Sequence, residues 1–324
     1  MDKEPALVTS FDELKKKNES HYMAAARKRL ALTAVLIFLV IPALIALTVF
    51  LGSRRLYMPL SLLILVMIMA PFFMIFERRK PRAREVVLIA MMSALTVASH
   101  TFFHIAFPVQ IGTAMVIISG ISLGPEAGFL IGAMSRFVCN FYMGQGAWTP
   151  WQMFCWGLLG FLAGLAFNRE ISKQNSISNF KKMMAPVLCV IFSELVAYIS
   201  FLVWPGNDKT FFGWRVYLFG IIGLLLAVIF QKGKLKADNL TMAVFTFVVT
   251  FVIYGGIMNF AAMCLSMNEP GSLGIGVKAL KALYVSGVGY DFYHALTAAI
   301  CVFVIGTPMV NKLERIKIKY GIYK

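Results

Sequence analysis

The sequence predicts an all-α fold, a polytopic transmembrane helical bundle of about ten spans, and three observations carry that prediction. The 324 residues are 59% hydrophobic and only 14% charged, with a mean hydropathy of +0.77, whereas soluble chains carry about a quarter charged residues. Apolar runs of about 20 residues recur, the length that crosses roughly 30 Å of hydrocarbon at 1.5 Å per residue. Lys and Arg gather on alternate loops, as the positive-inside rule requires. The net charge of +16 would suggest nucleic acid in a soluble protein. Here the cations flank apolar runs, so the anionic partner is membrane lipid of the inner leaflet and no nucleic acid is expected.

The elements follow in order. A cytoplasmic segment over 1–29 precedes a helix pair within 30–81, with spans at about Leu30 to Leu51 and Leu56 to Phe76. The first of these runs is too long and starts too late for a cleaved signal peptide. Next come Val86 to Phe107, Gln110 to Leu123, Pro125 to Tyr142 and Pro150 to Phe167. The remaining four are Pro186 to Trp204, Trp214 to Phe230, Thr241 to Ser266 and Val285 to Gly306. With the N-terminus inside, 24 of the 31 Lys and Arg fall on inner segments, six fall outside, and Arg136 lies within a span. Both termini are therefore expected in the cytoplasm of a multi-pass cell-membrane protein. Cys139, Cys155, Cys189, Cys264 and Cys301 lie in apolar segments without CxxC spacing and read as reduced packing residues.

Gly120, Gly124, Gly128 and Gly132 recur every four residues, with Pro125 after the second. Gly just past one helix and Pro at the start of the next predict a tight turn there. Glu126 then falls in the first turn of the next helix, where the dipole favours an acid. In lipid, helices associate through close approach at small residues. Three rows have that spacing: Ala90, Ala94 and Ala98; Gly128 and Gly132; Gly160 and Gly164. Internal packing is the ordinary reading of each.

Ionisable and amide groups inside spans are costly and so mark candidate sites. Counting 1.5 Å per residue from the outer ends places Arg136, Asn259, Asp291 and His100 roughly 10 Å deep. Asn140 lies one turn above Arg136, His104 one turn above His100, and His294 one turn below Asp291. These groups predict a polar layer under the outer surface, in which Arg136 either pairs with Asp291 or recognises an acidic or carbonyl group of a ligand. His100 and His104 stand four apart, but no third ligand completes a zinc site, so neither metal nor cofactor is expected. Above the layer, GQGAWTPWQMFCWG from Gly144 to Gly157 holds Trp148, Trp151 and Trp156. Trp also populates ordinary interface belts. Gly146 and Pro150 nevertheless frame a shaped loop in which Trp148, Thr149 and Gln152 suit a flat, partly polar ligand.

From Arg82 onward the chain resembles the substrate-specific S component of energy-coupling factor (ECF) vitamin transporters. The resemblance is carried by RAREVVLIA (82–90), GISLGPEAGFLIGA (120–133), GQGAWTPWQM, YGGIMN (254–259), YDFYHA (290–295) and LERIKIKYG (313–321). It implies a six-helix S-component-like core whose first part is 82–167 and whose last two helices, with a basic tail, lie in 231–324. Residues 168–230, with two spans and Glu194, then read as an insertion. The resemblance also implies a transmembrane coupling subunit and ATPase subunits as partners, with Ala90, Ala94 and Ala98 at the coupling contact. A vitamin-like substrate, for which a cobalamin-related compound is one candidate, would be held at the outer ends. Ala147 stands where similar sequences have Pro, and His100 where they tend to have Arg.

The expected function is thus a substrate-binding subunit without chemistry of its own. No GxxxxGK[ST] loop is present, so ATP must be used by partners. The alternatives are an independent secondary transporter, against which no internal repeat is seen, and an intramembrane hydrolase using Asp291, His294, His100 and Glu194.

Overall fold

Helices account for nearly all of the described chain. The computed structural model describes residues 83–106, 109–171, 176–204, 235–266 and 277–320, with scattered residues from 32 to 67 and from 206 to 226. Two units divide the chain, Met1–Pro81 and Arg82–Lys324. Of the first, a π-helical turn at Leu36–Val40 is the one continuous element described. The spans expected at Leu30 to Leu51, Leu56 to Phe76 and Trp214 to Phe230 lie largely outside the described residues, as does the 1–29 segment.

In the second unit, α1 (Ala83–Ala106), α2 (Ile111–Leu123), α3 (Pro125–Met143) and α4 (Thr149–Ala166) follow closely on one another. A short strand β1 (Phe167–Ile171) leads to α5 (Ser176–Val203), and β2 (Leu235–Ala237) leads to α6 (Asn239–Val248). A π-helical turn, Val249–Tyr254, joins α6 directly to α7 (Gly255–Ser266), and α8 (Val277–Tyr320) closes the order. Seven of the expected spans fall on these helices. Three stretches, Arg84–Phe103, Asn239–Ser266 and Lys278–Tyr320, are long and apolar enough to cross a membrane. The result is an all-α membrane bundle with one small addition that the sequence did not suggest: β1 and β2 pair in parallel, Phe167 opposite Leu235.

The turn between α2 and α3 forms where the Gly-Pro step predicts it. Gly124 adopts φ +98°, a left-handed value that disfavours any side chain, and Pro125 opens α3. Glu126 is buried in that first turn. Asp238 caps α6 by accepting from the Thr241 amide at 2.9 Å and from its hydroxyl at 2.8 Å, which satisfies an otherwise unpaired helix-end donor.

The glycine rows are internal contacts. A Cβ on Gly120 would lie 2.1 Å from the Gly160 carbonyl oxygen, one on Gly160 would lie 2.4 Å from that of Gly128, and one on Gly132 would lie 2.4 Å from that of Trp156. Gly164 meets the backbone of Gly124 and Pro125 at similar range. Helices α2, α3 and α4 therefore touch backbone to backbone, the close approach that small residues permit in lipid. Ala90, Ala94 and Ala98 behave differently. They are exposed and, with Ser93, Val97, Met134 and Tyr142 among others, line a groove of about 760 Å³ between α1 and α3. Internal packing is thus not the role of this row within the described residues.

Helix α8 runs well past the expected Gly306, through Pro308 to Tyr320. Its 44 residues measure about 66 Å at 1.5 Å each, roughly twice the hydrocarbon thickness. Near its end Lys317 is buried; its ammonium donates to the Ser122 carbonyl at the C-terminal end of α2, at 2.7 Å, and pairs with Glu314. Arg84 of α1 donates to the Tyr320 carbonyl at 3.0 Å. This end of the bundle is tied by cations meeting helix C-termini, where the carbonyls lack partners within the helix.

Candidate functional site

The contact of Gly132 with Trp156 sets the register of α3 on α4, and one turn further along α3 stands Arg136. Its guanidinium lies over the Trp156 indole, 5.2 Å from the ring centre. Arg136 Nε donates to Gln152 Oε1 at 3.0 Å, and Nη1 approaches His100 Nε2 at 3.2 Å and Met143 Sδ at 3.9 Å. A guanidinium can only donate, so His100 Nε2 accepts, and the proton of the neutral ring sits on Nδ1. The His100 ring also meets Trp156 edge-on at 4.9 Å. Gln152 Oε1 accepts a second bond, from Asn140 Nδ2 at 2.9 Å. One amide oxygen therefore fixes both polar groups of α3.

The loop between α3 and α4 is built onto this cluster. Gly144 ends α3 with φ +103°, again a glycine conformation. Thr149 is fully buried; its hydroxyl donates to Gln145 Oε1 at 3.0 Å and accepts from the Gly146 amide at 3.1 Å and from Asn140 Nδ2 at 3.0 Å. Trp148, 45% exposed, folds its indole onto Gly146, where a Cβ would come within 2.5 Å of the ring. The loop is thereby closed by hydrogen bonds beneath and presents one indole to its surroundings.

A second cluster lies across the first turn of α2. Gly112 packs against His100 and Trp156, while its neighbour Thr113 bonds His294 Nε2 at 2.9 Å. The Tyr254 ring meets His294 edge-on at 4.6 Å. The π-helical turn that ends at Tyr254 delivers Gly255 against the Asp291 carboxyl, where an added Cβ would stand 3.0 Å from it and press it aside. Such π-turns recur at functional sites. Asp291 accepts from Asn259 Nδ2 at 2.7 Å. Tyr254 lies within Coulomb range of both Arg136 and Asp291. The two clusters are also bridged by Trp151 on Phe260, with ring centres 6.1 Å apart.

Pairing of Arg136 with Asp291, one of the two sequence expectations, does not occur: each charge is held by neutral groups. The direction in which a side chain points around its helix is not readable from sequence, and these two point to different neighbours. His104 lies in α1, and its side chain is not among those described. Of the groups considered for a hydrolase, Asp291 bonds Asn259, His294 bonds Thr113 and His100 bonds Arg136. Glu194, on α5, makes no hydrogen bond or ion pair among the described residues. No group of three or more His, Cys, Asp or Glu stands ready for a metal among those residues either.

Trp156, Tyr254 and Thr113 join the site without having been among the expected site residues, although the first two lie in stretches that the sequence marks. Trp156 is one turn below Gln152 on the same face of α4, and that spacing is the signal that was available. Among the described residues, Trp156 Nε1, Asn140 Oδ1 and His294 Nδ1 are buried in these clusters without a partner. Each such atom costs about 1–3 kcal/mol if left unsatisfied. A bound molecule supplying acceptors and donors would meet them.

Residues 80–212 match the family model for the ECF-type riboflavin transporter, S component. The matched stretch holds His100, Arg136 and the whole α3–α4 loop; Asn259, Asp291 and His294 lie beyond it. No solved structure matches the chain significantly.

Proposed function

We propose that this chain, whose residues 80–212 match the family model of an ECF S component, is the substrate-binding membrane subunit of an ATP-driven ECF importer and captures riboflavin or a closely related flat vitamin from the outer side. The family match and the long apolar helices support the coarser statement, a vitamin-binding transporter subunit in a membrane. The observation that carries the finer one is the Arg136 cluster. A cation stacked on an indole, fixed by Gln152 and His100 and roofed by a hydrogen-bonded loop bearing Trp148, suits a planar ring with carbonyl acceptors. The riboflavin in the family's name is such a molecule. Ligand enters from the side that carries the loop, which the charge distribution makes the outer one. Ala90, Ala94 and Ala98, exposed along their groove, receive the transmembrane coupling subunit, and ATPase subunits supply the energy that this chain has no phosphate loop to harness.

The test is to purify the full chain from cells and identify the co-purifying small molecule by mass spectrometry. A flavin in near-stoichiometric amount supports the proposal. A different vitamin keeps the transporter reading and removes the flavin. No bound molecule, together with uptake by the chain alone in vesicles bearing an ion gradient, would establish the secondary-transporter alternative.

A further inference from the structure

Arg136 on α3 and Asp291 on α8 are opposite charges, and neither neutralises the other. Buried charges ordinarily require a partner, because the cost of leaving water is several kcal/mol per ion. Asp291 is nine-tenths buried and spends one acceptor position, on Asn259, whereas a carboxylate offers about four. Arg136 uses Nε and Nη1 on protein groups, and among the described residues its Nη2 donates to none. The scaffold holds them in this state. Arg136 is tied to α1 and α4, while Asp291 is tied to α7 through Asn259, and a Cβ on Gly255 or Gly287 would crowd that pair at 3.0 and 2.9 Å. Among the described residues, Trp156 Nε1 beneath the Arg136 guanidinium and His294 Nδ1, three residues along α8 from Asp291, are buried without a partner.

We infer that Arg136 and Asp291 are the two ends of one ligand seat, Arg136 taking an acceptor-bearing ring edge and Asp291 taking the hydroxyl or N–H donors at the ligand's other end. The inference rests on the vitamin-binding reading above. For riboflavin it assigns the ring carbonyls to Arg136 and the hydroxyls of the ribityl chain to Asp291. Asp291 then sets specificity, because a flavin without that chain leaves the carboxylate unanswered. A hydrogen bond to a charged group contributes about 1.5–3 kcal/mol, and 1.4 kcal/mol is tenfold in affinity.

The experiment titrates the full-length protein, freed of bound ligand, with riboflavin and with lumiflavin, which keeps the ring and replaces the ribityl chain by a methyl group. Quenching of flavin fluorescence gives both affinities. The wild type should prefer riboflavin by about tenfold or more. Asp291→Asn should lose that preference while binding lumiflavin as before, and Arg136→Gln should weaken both flavins alike. Equal affinity of the wild type for the two flavins, or full preference retained by Asp291→Asn, overturns the assignment. Failure of the wild type to bind either flavin overturns the choice of riboflavin, and the flavin seat with it. Should Asp291→Asn not fold, the wild-type ratio still decides, and Asp291→Glu, which keeps the carboxylate, should retain the preference.

Discussion

The guanidinium of Arg136 rests on the indole of Trp156, and Trp156 is held there because its own carbonyl packs against Gly132 one turn below Arg136. Packing and the seating of the cation thus share one side chain. Trp156→Ala should cost about 3–5 kcal/mol of stability, the range for removing a buried aromatic, and should lower the unfolding temperature in detergent. Trp156→Phe keeps a ring under the cation and removes the partnerless N–H, so it should fold nearly as well and still bind ligand more weakly. Equal loss of stability in both variants would place the whole effect in packing.

Because Arg136 and Asp291 hold different neighbours, their substitutions should act independently on folding. In a double-mutant cycle of Arg136→Gln and Asp291→Asn, unfolding of the ligand-free protein should show coupling below about 0.5 kcal/mol, as for sites without shared partners. Mutual rescue would reveal a direct ion pair.

Glycines in this bundle should divide sharply. Gly160→Ala forces a carbon to 2.4 Å from the Gly128 carbonyl oxygen and should destabilise by about 3 kcal/mol, the upper end of overpacking costs. Gly289 lies in a helix with nothing within 4 Å of an added Cβ. Gly289→Ala should therefore be neutral, or stabilising by about 0.5–1 kcal/mol. Thermal unfolding of the two variants side by side checks the contrast.

The groove of Ala90, Ala94 and Ala98 should serve assembly and not ligand capture. Ala94→Trp should abolish co-purification with the coupling subunit and abolish uptake, while flavin titration of the isolated chain stays close to wild type. Loss of flavin binding would tie the groove to the fold of the site instead.

A reporter fused after Lys324 should be active only in the cytoplasm, since the cations that dominate the loops lie on that side of the expected map. A reporter active outside would reverse the side from which ligand enters.

Much of this was legible in the chain. Gly124 with Pro125 announced the α2–α3 turn, and the four-residue glycine rows announced where backbones meet, because both depend on a missing Cβ, which is visible in a sequence. That Arg136 and Asn140 share one face of α3, four residues apart, was readable from helical spacing alone, and both meet Gln152 Oε1. What the sequence withheld depends on direction around a helix axis. The partners of Arg136 and Asp291 depend on it, as does the outward face of the alanine row, which sequence spacing could not distinguish from the glycine rows. The π-turn at Val249–Tyr254 was also hidden, since VTFVIY reads as plain apolar helix and the extra residue per turn is set by its tertiary neighbours. The extent of α8 was missed because Gly306 and Pro308 look like a stop, yet the helix continues through both.

Where α2, α3 and α4 meet at Gly120, Gly128 and Gly160, not even a methyl group fits between the backbones. On the proposed reading, a ligand could pass between these three helices only if their backbones first moved apart, so this contact would have to yield before any pore opened there.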